Sequence, residues 1–84
     1  MSYKYEDEKK RLFTEDGVKT IIFVRDQAKA LVKISGCFTA EKLLERCSGD
    51  SFTILAVLDF LVELGELKVR DELHNVSVYV GVKL

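Results

Sequence analysis

Between Thr39 and Leu67 the apolar residues change their spacing, and each change predicts an element. Ala40, Leu43, Leu44 and Cys47 fall at i, i+3, i+4 and i+7, with Glu41, Lys42, Glu45 and Arg46 on the other face; this is the period of a helix with one buried side. Thr39 is placed to cap its N-terminus, and Ser48-Gly49 is expected to supply the left-handed residue that stops it. A second helix starts at Asp50 or Ser51, with Asp50 read as its cap, and runs to Gly65, after a loop short enough to force a sharp corner. Upstream, Thr14 caps a longer helix whose first turn carries Glu15 and Asp16. Val18, Ile21, Ile22, Ala28, Leu31 and Val32 keep its period, with Arg25 as an interruption on the stripe, and it should end near Ser35-Gly36. Arg25, Lys29 and Lys33 form a basic ridge, read as a solvated face or a dock for an acidic partner. Cys37-Phe38 reads as a short strand. Past Gly65 the period becomes two: Leu67 and Val69, then Val76, Val78, Val80 and Val82, predict a hairpin with four valines on its buried face and a polar loop from Asp71 to Asn75. An isolated hairpin is marginal in water, so it must pack on the helices.

Composition narrows the class without naming a function. The 84 residues are 48% hydrophobic and 32% charged, which fits one globular α+β domain that must share a single core. Two cysteines are too few for a disulfide framework, so both are expected reduced. No run approaches 18 apolar residues and the N-terminus has no apolar signal core, so a soluble cytoplasmic protein without membrane contact is expected. Charge is uneven. Met1 to Arg46 holds ten basic and eight acidic residues, whereas Asp50 to Glu72 holds two basic and six acidic. Residues 1–13 form a separate charged segment, with apolar anchors at Tyr3 or Tyr5, Leu12 and Phe13; a frayed tail, a short helix or an arm reaching a neighbouring subunit are its expected forms. The domain proper is then 14–84.

Taken together, a long helix, a short strand, a capped helix, a turn, a third helix and a terminal hairpin resemble the winged helix-turn-helix superfamily over roughly residues 14–84. The stretch FTAEKLLERCSGDSFTILAVLDFLVELGEL carries most of the likeness. The resemblance implies a three-helix core, a C-terminal two-stranded wing and a short strand between the first two helices. It also implies a transcriptional regulator that places the third helix in the DNA major groove. On that basis Ser51, Phe52, Thr53, Ala56 and Asp59 would face DNA from the third helix, Lys68, Arg70, His74 and Asn75 from the wing, and Lys42 and Arg46 would approach phosphates.

The residues themselves depart from that pattern. From Ser51 to Leu64 there is no Lys, Arg, Asn or Gln, the side chains that neutralise phosphates and read bases. The helix is apolar almost all round, which predicts either a core helix buried more deeply than usual by the N-terminal segment or a contact face at Phe52, Leu55 and Val62 for a second copy or another protein. Two functional readings follow: a small DNA-binding regulator, expected as a homodimer, or a winged-helix protein-interaction module. Catalysis is not expected, and neither is a cofactor or metal. His74 is the lone histidine, Cys37 and Cys47 lack zinc spacing, and the scattered glycines form no phosphate loop.

Overall fold

The computed structural model describes residues 3–73 and 76–83, and side chains throughout these except at 71–73 and 76. The chain is α+β, with four helices and a three-stranded antiparallel sheet: α1 (Tyr5–Leu12), α2 (Glu15–Ser35), β1 (Cys37–Thr39), α3 (Ala40–Arg46), α4 (Ser51–Glu63), β2 (Leu67–Leu73) and β3 (Val76–Gly81). The expected caps are present. The Thr14 hydroxyl accepts from the Gly17 amide at 3.0 Å, the Thr39 hydroxyl from Lys42 at 3.3 Å, and the Asp50 carboxylate from the Thr53 amide at 3.3 Å and hydroxyl at 2.9 Å. Each satisfies a donor that the helix itself cannot. Gly36, at φ 78°, ends α2 in the left-handed region.

The corner between α3 and α4 is built differently from the expectation. α3 stops at Arg46, and Cys47 behind it is extended (φ −109°), so the left-handed residue is not the cap. Gly49 takes φ 124° inside the turn instead, where a side chain would be strained.

The sheet order is β1-β3-β2, with Phe38 opposite Tyr79 and Tyr79 opposite Val69. Directly opposed residues share a face, so Phe38, Tyr79 and Leu67 all look toward the helices, and all three are buried. The expected valine face is therefore the wrong one. Val78 and Val80 point away from the core with Cys37 and Thr39, and Val82 is exposed. Alternation fixes the period but not its phase, and one residue of slip exchanges the faces. Gly81 decides the phase. It meets α2 so closely that an added Cβ would lie 2.9 Å from Val32 Cγ1, and Tyr79, stacked on Phe38 with ring centroids 5.6 Å apart, fills the space beside it. Asp71 to Leu73 belong to β2 and not to a loop, and a bulge sets in between Val69 and Asp71.

The core is centred on α4, from which Ile54, Ala56, Val57, Leu58 and Leu61 are buried; Leu12, Val24, Ala28, Leu31 and Leu43 close around them. Burying a leucine of this kind stabilises by about 1.5–3 kcal/mol. The inward side of α2 is rotated from the expected stripe. Val24 lies at its centre with Ala28 and Leu31, whereas Val18 is 47% and Ile22 57% exposed. Among the described residues, no helix is long and apolar enough to cross a membrane.

Candidate functional site

Part of the face expected to read DNA lies under another part of the same chain, which covers Phe52 and Asp59. On α4, Phe52, Asp59, Phe60 and Glu63 fall at i, i+7, i+8 and i+11, which is one side of a helix. Each of the four is taken by the N-terminal segment. The Tyr3 hydroxyl donates to Asp59 at 2.5 Å and the Tyr3 ring meets Phe52 edge-on at 5.8 Å. Tyr5 donates to Glu63 at 2.5 Å, Lys9 pairs with the same carboxylate at 2.8 Å, and Phe13 lies edge-on to Phe60 at 5.7 Å. Ala56, on that same side, was expected at the surface and is fully buried. Residues 5–12 thus take the helical form of the three expected, and Leu12 enters the core with no exposure at all.

The corner joining α1 to α2 explains this orientation. A Cβ on Gly17 would stand 2.0 Å from the Arg11 carbonyl oxygen, so the two backbones touch there and any side chain would separate them. Arg11 reaches both Glu8 (3.4 Å) and the α4 cap Asp50 (3.8 Å), which ties the last turn of α1 to the start of α4. An open cleft at this junction, of about 280 Å³, is lined by Arg11, Thr14, Asp16, Gly17, Thr20 and Thr53.

The remaining nominated residues are dispersed. Ser51 is exposed at the head of α4, while Thr53 is half-buried and bonded to its own cap. Lys42 pairs within α3 to Glu45 at 3.6 Å, and the Arg46 Nε donates to Gln27 of α2 at 3.1 Å. Lys68 and Arg70 are exposed on β2, the strand on the far side of β3 from β1. His74 and Asn75 lie outside the described residues. Of the three nominated interface residues, Leu55 and Val62 pack against the core and Phe52 is half-buried beside Tyr3. Leu55→Asp should therefore destabilise the whole fold instead of merely dispersing an oligomer, with a lowered Tm as the readout. Among the described residues, no three His, Cys, Asp or Glu side chains are grouped to hold a metal.

The N-terminal segment was one of the covers expected for this helix, but the contacts of Tyr3, Tyr5 and Lys9 with α4 were not foreseen, although the signal was there. Tyr5, Glu8, Lys9 and Leu12 fall at i, i+3, i+4 and i+7, one face of a short helix that needs a surface to bury it.

These contacts carry a pH signature. The hydrogen bonds from Lys9 and then Tyr5 hold the Glu63 carboxyl below its usual range. A depressed carboxyl contributes stability above its unfolded value, about 4.3, and that contribution is lost as pH falls through the folded value. Burial first, and the carboxylate partners second, push the Tyr3 and Tyr5 hydroxyls up, and burial pushes up Tyr79 as well. Their contribution is present below an unfolded value of about 10 and is lost as pH rises through the folded ones. Tyrosinate absorbance should accordingly develop above the ordinary range for all three tyrosines. Ionisation of any of them near its free value contradicts the contacts described.

Comparison with protein-family models, with curated proteins and with solved structures finds no match.

Proposed function

We propose that this chain is a non-catalytic winged-helix module that works through protein contacts, with α4 serving as a structural helix and not as a reading head. The architecture is supported by the run α2-β1-α3-α4-β2-β3 and by the sheet order β1-β3-β2, in which the short strand between helices joins the terminal hairpin. The observation that carries the functional reading is α1 laid along the side of α4 that would otherwise enter a groove. Chemistry agrees with it. Asp59 and Glu63 are the charges on that side, and both would repel phosphate if α1 were lifted.

A second reading, DNA binding by other surfaces, draws on Lys42 and Arg46, which are exposed on α3 and clear of α1. Titration against random duplex DNA at two salt concentrations separates the two. The protein-contact reading expects no saturable binding even at low salt. Binding that weakens steeply with salt and is lost in Arg46→Glu would replace it with the second reading.

A further inference from the structure

Four large apolar side chains on or beside α2 and α4 stand exposed: Phe13 (64%), Val18 (47%), Ile22 (57%) and Leu64 (50%). Val18 and Ile22, at i and i+4, share one face of α2. Phe13 touches Phe60, and Leu64 follows one turn later on α4. Glu66, just beyond, pairs with Arg25 at 2.7 Å, and Arg25 continues the α2 face that carries Val18 and Ile22 at i−7 and i−3. Exposed apolar side chains along one helix face mark a contact surface.

We infer that this face is where two copies of the chain associate, by antiparallel packing of α2 on α2 about a two-fold axis at Ile22. The inference deepens the protein-contact reading and rests on it. Charge selects the occupant. Glu15, Lys19, Asp26 and Lys29 are exposed along this side of α2, and among the described residues none of them has an ion pair within the chain. With the axis at Ile22, Glu15 comes opposite the partner's Lys29, each seven positions away, and Lys19 comes beside the partner's Asp26. Parallel packing would oppose like charges at every one of these positions. A two-fold contact repeats each pair, so one self-complementary helix face supplies four attractive pairs around an apolar centre.

Sedimentation of the full chain over a concentration series tests this, with circular dichroism as a control for folding. The wild type should reach the mass of a dimer, and Ile22→Asp should be a monomer with an unchanged Tm, because Ile22 lies outside the core. Glu15→Lys should weaken association, and Glu15→Lys with Lys29→Glu should restore it. A wild type that stays monomeric at the highest concentration, an Ile22→Asp variant that still dimerises, or a charge swap that fails to rescue overturns the dimer. The same runs with duplex DNA keep the two ideas apart. Monomers with no DNA bound remove the dimer and leave protein contact standing, whereas a dimer that forms only on DNA overturns both.

Discussion

Truncating Leu12 to alanine is expected to cost about 2–5 kcal/mol of stability, the range for emptying a fully enclosed leucine site. Leu12 is the last residue of α1 and is completely buried in the cluster built on α4. The loss has two parts. Transfer of the missing methyl groups accounts for one, and the cavity they leave beside α4 for the other. An appended arm would behave otherwise, since truncation in a frayed segment falls within about 0.5 kcal/mol of neutral. Urea unfolding reads the difference directly. A shift of the midpoint at constant slope is the expected form, because α1 should unfold with the rest of the domain and not before it.

The second large effect is expected at Gly17, and there the sign is the informative part. In a solvated helix, glycine to alanine stabilises by about 1 kcal/mol. Here the added Cβ would lie 2.0 Å from the Arg11 carbonyl oxygen and 2.7 Å from the Leu12 backbone. Backbone atoms cannot swing aside as a side chain does, so α1 must move off α2, and the contacts of Leu12, Tyr5 and Lys9 loosen with it. Gly17→Ala should destabilise by at least the amount typical of over-packing, about 1–3 kcal/mol, reversing the helix-propensity expectation. Thermal unfolding of the wild type and the variant decides it, and a rise in Tm would mean that α1 does not sit where it is described.

How far the sequence foretold this structure depends on the kind of signal. Caps at Thr14, Thr39 and Asp50 were legible because a short polar side chain before a helical period acts on its own backbone, without help from the rest of the fold. The four principal helical and hairpin segments of residues 14–84 were legible for a similar reason, since each buries one side at its own period. What period alone does not give is which side wins when two are apolar. On α2, Ala28 and Leu31 are buried as expected, and the choice between Val18 with Ile22 and Val24 to join them was settled by where α1 lands. On β3 the choice between the valines and Tyr79 was settled by Gly81 admitting Val32. Both are contacts between residues distant in sequence or across a corner. Arg25 had marked the exposed side of α2 beforehand, because a guanidinium on an otherwise apolar stripe is seldom turned inward without a partner, and its partner Glu66 proved to lie at the rim.

The candidate reading face on α4 followed the same logic. Its lack of Lys, Arg, Asn and Gln was plain in the sequence, and the N-terminal segment was one of the covers expected for it; the individual pairs were not, because they are made by two tyrosines and a lysine, whose apolar bodies and polar tips suit either solvent or an acidic helix. Asp59 and Glu63 look like ordinary surface charges until Tyr3 and Tyr5 are placed beside them.

Closure of α4 by the N-terminal segment of the same chain is tested most directly by nuclear Overhauser contacts. Tyr3 to Phe52 and Phe13 to Phe60 should both be seen, at strengths that do not change on dilution. In a sample mixed from isotope-labelled and unlabelled chains they should arise within single molecules. Absence of these contacts, or their appearance solely between labelled and unlabelled chains, would mean that α4 is open or is covered by another copy, and would contradict closure within one chain.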